Sequence, residues 1–270
     1  MPDEQNVATP TYQGTRHDIG GDIPSEEVPL PSSGKVYPLT SPLHGQETVS
    51  ISAMTTREED ILTSKALLKK GTVITELIRS CLIDKTIDPA DMLTGDRNTL
   101  MVAIRVTGYG QEYDAEVECT GCNTKSSQKF DLAQLPIQRL VLDPIADGVN
   151  AFEFLLPRTK KTVRFKFLTG KDEETISATV ERAKKLQIAT DTVVSTNLLY
   201  SIVSVDGTED RAKIGDFVRK MPAQDSLALR NYIKSNEPGI ILKQEVTCGH
   251  CGESDEVSMP IGTSFLWPSA

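Results

Sequence analysis

Four of the five cysteines fall in two C-x-x-C pairs, Cys119-Thr-Gly-Cys122 and Cys248-Gly-His-Cys251. Two thiolates separated by two residues, with a glycine in the turn, can face one ion. Two such pairs supply the four sulfurs that a tetrahedral Zn2+ prefers, and four protein ligands leave no position open for water. The pattern points to one structural Zn2+ per chain, with Cys119, Cys122, Cys248 and Cys251 as ligands, rather than to catalysis by a metal. Three rivals stand beside it: a thioredoxin-like redox pair, structural disulfides, and four unrelated thiols. The redox pair would sit at a strand-to-helix junction, a context neither pair has. Disulfides fit poorly with a reducing compartment.

No other constellation does chemistry. Cys81 lies in an apolar helical stripe and reads as core. His250 falls inside the second knuckle, where Cys251 has the better ligand spacing. His17 and His44 belong to a proline-rich stretch, so no histidine is placed for general acid–base or nucleophilic work. There is no Walker A run, and Gly108-Tyr-Gly110 is too short for a phosphate loop. The acidic clusters Glu58-Glu59-Asp60 and Asp172-Glu173-Glu174 sit in helix first turns, where the helix dipole accounts for them. No catalytic residue and no organic cofactor site is expected.

Each C-x-x-C must be presented by a hairpin tip. Residues 112–119 alternate Tyr113, Ala115 and Val117 with Asp114, Glu116 and Glu118, and residues 128–132 return as the partner strand. A second hairpin, 240–247 with 253–259, presents the other pair. Around these the sequence predicts an α+β fold: helical units with β-hairpins and a four-cysteine, zinc-ribbon-like element formed by two distant knuckles. The expected units are an extended proline-rich arm (1–45), an N-terminal helical unit (46–110), the first knuckle hairpin (111–132), an inserted α/β unit (133–237), the second knuckle hairpin (238–262) and a C-terminal tail (263–270). Within 46–110, a strand near Val49–Ala53 precedes a capping box, Thr56 with Glu59, and a helix stopping at Gly71. Helices follow from about Thr72 to Ile83 and from Asp96 to Val106, separated by an Asp88-Pro89 helical turn. In the inserted unit, strands at 151–156 and 162–168 precede helices at 170–186, 192–205, 214–220 and 224–236.

The arm holds 7 of the 15 prolines, and such a segment buries too little apolar surface to fold alone. Its apolar residues Val28, Leu30, Val36 and Tyr37 suggest that it gains order on a partner. The chain as a whole has 270 residues and a net charge of −9, which gives no broad attraction to nucleic acid or anionic lipid. No run approaches about 20 apolar residues, and the polar, acidic N-terminus MPDEQNVATP does not read as a signal peptide. A cytoplasm-like compartment is expected.

An ordered set of blocks carries a resemblance. Leu30-Pro-Ser-Ser-Gly-Lys-Val-Tyr37 is followed by Met54-Thr-Thr-Arg-Glu-Glu-Asp-Ile-Leu-Thr63. Then come 84–91, Gly95-Asp-Arg-Asn98, Ile104-Arg105, Gly108-Tyr-Gly110 and the first C-x-x-C. This set, over residues 28–132, resembles the T4-type bacteriophage baseplate protein family, whose members are described as baseplate hub components. The resemblance implies a structural or assembly role in the virion tail, formation in the host cytoplasm, and no catalytic residues. It implies other tail and baseplate proteins as partners, with the N-terminal arm as the candidate contact, in a symmetric multi-copy assembly. Asp96 in the Gly95–Asn98 block reads as a cap for the following helix, with Arg97 and Asn98 facing solvent or a partner. The rival functions are a baseplate assembly factor absent from the mature virion, and a zinc-ribbon protein that binds nucleic acid. The knuckle strands speak against the latter: Glu116, Glu118, Glu245, Glu253, Asp255 and Glu256 outnumber Lys125, Lys129 and Lys243.

Overall fold

The structure, a computed structural model, describes residues 7–8, 24–185, 193–259 and 263–266. Strand β1 (Val7–Ala8) is followed by β2 (Ser25–Pro29) and β3 (Thr48–Ser52), which pair antiparallel with Val28 opposite Val49. The expected extended arm is corrected from residue 24 onward. Val28, Leu30, Val36, Tyr37 and Leu43 are all buried in the chain's own core. The prolines do not prevent this, because the segment folds as one strand and a compact loop rather than as a regular element. Ser33 and Gly34 turn the loop at φ 51° and 70°. A side chain at Gly34 would meet the Gln46 amide nitrogen at 2.4 Å. Residues 1–6 and 9–23 of the expected arm lie outside the described residues.

Helices α1 (Thr56–Thr63), α2 (Lys65–Lys70) and α3 (Val73–Cys81) follow. The capping box exists one residue earlier than expected: Thr55 is the N-cap and Glu58 the reciprocating acid. Glu58 also accepts the Ser80 hydroxyl at 2.5 Å, which draws it inward, while Glu59 accepts from the Tyr109 hydroxyl at 2.7 Å. The helix expected to run unbroken to Lys70 divides at Ser64, where the Thr63 hydroxyl bonds back to the carbonyls of Glu59 and Asp60. Gly71, left-handed at φ 73°, ends α2 as expected. Asp88 caps a 3-10 turn at Pro89–Asp91 before the long helix α4 (Thr94–Tyr109).

Beyond α4 come the hairpin β4 (Glu112–Glu118) and β5 (Lys125–Asp131), then β6 (Ile137–Gln138), β7 (Phe152–Leu155), β8 (Thr162–Phe165) and α5 (Gly170–Lys185). The helix expected over 192–205 is corrected. Helix α6 (Val193–Ser201) stops, and β9 (Ile202–Val205) pairs antiparallel with β8. The β-branched residues Ile202, Val203 and Val205 favour the strand. Asp206 and Gly207, both at positive φ, turn the chain back, with Val205 and Thr208 exchanging hydrogen bonds. Helices α7 (Arg211–Lys220) and α8 (Ala223–Asn236), strand β10 (Gly239–Ile240), the hairpin β11 (Lys243–Thr247) and β12 (Ser254–Ser258), and the turn α9 (Thr263–Leu266) complete the chain.

β6 lies between β1 and β10, so the beginning, middle and end of the sequence meet in one small sheet. One buried cluster runs from Val28 to Leu266 through the boundaries expected between units. The residues expected as a C-terminal tail contribute Phe265 and Leu266, both fully buried. No helix among the described residues is long and apolar enough to cross a membrane.

Candidate metal centre

The two hairpins, β4–β5 and β11–β12, meet over a small cleft lined by Val117, Gln128, Val246 and Val257. At their tips the four cysteine sulfurs converge, all within 4.8 Å of one another. Cys119 Sγ is 3.6 Å from Cys251 Sγ, and Cys122 Sγ is 3.8 Å from Cys248 Sγ. A disulfide would need about 2 Å. A regular tetrahedron with Zn–S of about 2.3 Å has S···S edges of about 3.8 Å, and these two separations lie close to that value.

The knuckles are built alike. Cys119 N–H donates to Thr124 O, and Asn123 N–H donates to Cys119 O. In the second, Cys248 N–H donates to Glu253 O, and Gly252 N–H donates to Cys248 O. Asn123 and Gly252 occupy the same place, directly after the second cysteine, at φ 54° and 75°. Only residues that tolerate the left-handed region suit it. Each knuckle's first cysteine faces the other's second, so the sulfurs are arranged with approximate two-fold symmetry. The hydroxyl of Thr120 donates to Asp255 and ties the first tip to β12.

The hydroxyl and amide of Thr124 draw the Cys122 thiol down to about 6. The amides of Cys251 and His250 lower the Cys248 thiol. At Cys251 the Glu253 amide favours the thiolate, but the neighbouring sulfurs, Cys122 foremost, push the thiol up to about 12. Four sulfurs this close cannot all ionise by themselves, and a divalent cation is the counter-charge that such a donor set suits. Cys81 stays apart, fully buried, its thiol raised to about 12 by desolvation, which makes it inert. His250 is exposed, and His44 contacts Tyr37 O and Asp147 rather than any sulfur. His17 lies outside the described residues.

Sequence reasoning missed the supports of the site: Thr124, Asn123, Gly252 and Glu253. The available signal was a residue tolerant of positive φ after each C-x-x-C. It also missed a second buried constellation. Asp96, expected as a helix cap, lies in the first turn of α4 with no exposure at all. It accepts the Ser32 N–H at 3.0 Å, the Ser32 hydroxyl at 2.6 Å and the Tyr37 hydroxyl at 2.5 Å. The Tyr37 oxygen in turn accepts the Leu93 N–H at 2.9 Å. Two of the blocks that resembled a known family thus form one joint. Arg97, expected to face outward, is buried too: Nη2 donates to Thr75 Oγ1 at 2.9 Å. α4 is buried on nearly every side over residues 95–105, so Arg97 also faces packed structure.

These features define a class: an α+β protein whose distant hairpins close a four-cysteine ribbon over a single core. A family model described as T4 bacteriophage base plate protein matches residues 25–267, from β2 to just past α9. The chain belongs to this family, a structural family of the phage tail baseplate. No curated protein and no solved structure matches it.

Proposed function

We propose that the chain is a non-catalytic scaffold at or beside the baseplate hub, held in shape by one Zn2+ on Cys119, Cys122, Cys248 and Cys251. The observation that supports the metal reading is the convergence of four sulfurs within 4.8 Å of one another, Cys122 and Cys248 being 126 residues apart in sequence. A closed sulfur site of this kind does structural rather than catalytic work. The ion would supply charge and fixed geometry, while the chain's own hairpins supply orientation. Docking to neighbouring tail subunits then uses the outer surface of a body closed end to middle. The acidic outward residues of β4, Glu112, Asp114, Glu116 and Glu118, oppose phosphate contact and so favour protein neighbours.

Two measurements test this. Elemental analysis of the reduced, full chain should give one zinc per chain; zero zinc would remove the metal centre. Cross-linking mass spectrometry of purified tails should place the chain in the mature particle, joined to hub subunits. Its absence from mature tails would reassign it as an assembly factor.

A further inference from the structure

Two exposed surfaces among the described residues complement each other, although Asp147 of the second lies 3.7 Å from His44 Nε2. The first is a cleft of about 930 Å³ between α2, α3, α4 and α5. Its apolar lining includes Leu68 (43% exposed), Ile74, Met101 and Leu242. Its rim carries Lys69, Lys70, Arg182 and Lys185, all exposed. Among the described residues none of these four makes an ion pair. Glu173, Glu174 and Glu181 line the cleft as well, so with Arg97 the lining holds five basic and three acidic side chains; Arg97 and Glu174 are turned inward onto Thr75. On a chain of net charge −9 this is a locally basic cleft with a mixed polar and apolar lining.

The second surface is the loop 141–149, Val-Leu-Asp-Pro-Ile-Ala-Asp-Gly-Val. Val141, Ile145 and Val149 are 57%, 45% and 40% exposed, with Asp143 and Asp147 exposed between them. The loop is pre-shaped: Ile145 N–H donates to Ala151 O, Gly148 N–H to Lys35 O, and Val149 N–H to Ala146 O. Gly148, at φ 70°, would place a side chain 3.0 Å from Tyr37 O, so the loop lies tight on the body. Preorganisation of this kind lowers the ordering cost of docking.

We infer that loop 141–149 of one copy docks into the 68–74/97–101/173–185 cleft of the next, apolar side chains inward and aspartates on the lysine and arginine rim. The cleft and the loop share no residue, so the contact is head-to-tail, and such contacts generate rings when the rotation closes. A two-fold contact through the loops alone would bring Asp143 and Asp147 against their own copies, and through the clefts alone would oppose like cations. Charge therefore selects the heterologous arrangement.

The test is a charge swap on the full chain, read by native mass spectrometry and light scattering. The wild type should self-associate. Lys69→Glu with Lys70→Glu, and separately Asp143→Lys with Asp147→Lys, should each weaken association roughly tenfold or more. Mixing the two variants should restore oligomers containing both, because each reversed surface then meets its complement. Ile145→Asp, which leaves the charges of the rim alone, should also give monomers with an unchanged melting temperature. A monomeric wild type, variants that still associate, a mixture that stays monomeric, or photo-cross-links from position 145 in tails only to a different protein would each overturn the inference. None of these outcomes depends on the zinc content or on the presence of the chain in mature tails.

Discussion

Asp96 is a carboxylate removed from water and surrounded by three donors, two from Ser32 and one from Tyr37. Burial pushes its carboxyl up, and the Ser32 and Tyr37 donors pull against that shift. Removing it leaves all three donors buried and unmatched, so Asp96→Ala should cost about 3 kcal/mol in urea unfolding. Tyr37→Phe, which also orphans the Leu93 N–H, should cost about 2 kcal/mol. Glu237 gives a pH test. Burial, aided by the charge of Glu173, raises its carboxyl from 4.5 to about 7. A carboxyl raised in the folded state favours folding while protonated. Its contribution is full below the unfolded value and fades as pH rises through about 7. Glu237→Gln should therefore match the wild type near pH 4 and melt higher at pH 8, a comparison differential scanning fluorimetry makes directly. Sequence reading reached the four cysteines because spacing alone encodes a knuckle. It could not reach Asp96, whose role depends on a loop 64 residues away.

At the scale of elements, α4 owes its seat to two glycines. A Cβ at Gly95 would lie 1.7 Å from the Pro238 carbonyl oxygen, and one at Gly170 would overlap Arg97. The first clash is with backbone and cannot be relieved by a rotamer change. Gly95→Ala should destabilise by about 3 kcal/mol, with the melting temperature as the readout. At the other end of α4, Arg105 donates to Phe265 O at 3.0 Å and Gly110 O at 3.1 Å, and the Phe265 ring meets Tyr113 edge-on at 5.0 Å. The last helical turn thereby braces the first knuckle's root. The hairpins, α3 and the stop at Gly71 were legible because alternation, 3.6-residue spacing and a left-handed glycine are local signals. Strand β2 and the buried loop after it were not, since their apolar residues follow no period and are held by tertiary contacts. The 192–205 run failed for a different reason: its apolar pairs are spaced by Ser, Thr and Asn with no break in pattern that separates α6 from β9.

For the whole molecule the long-range meeting point is at the four sulfurs. An ion held as proposed would join segments 126 residues apart and remove about 5 kcal/mol of loop entropy from the unfolded chain. Cys248→Ser or Cys122→Ser should lower stability by a comparable amount and abolish zinc binding, as should a strong chelator on the wild type. Cys81→Ser should cost about 2 kcal/mol, the penalty of a buried hydroxyl, and keep its zinc. Denaturation monitored with metal analysis separates the two cases.

The distance between the knuckles also sets a schedule. A ribosome adding about 5–20 residues per second leaves Cys119 and Cys122 waiting roughly 6–25 s for their partners. During that interval the first hairpin carries only two of the four thiols. A chain cut short before residue 248 never leaves that condition. On the proposed metal reading, only a chain translated almost to its end can close the ribbon, because Cys248 and Cys251 lie near its C-terminal end.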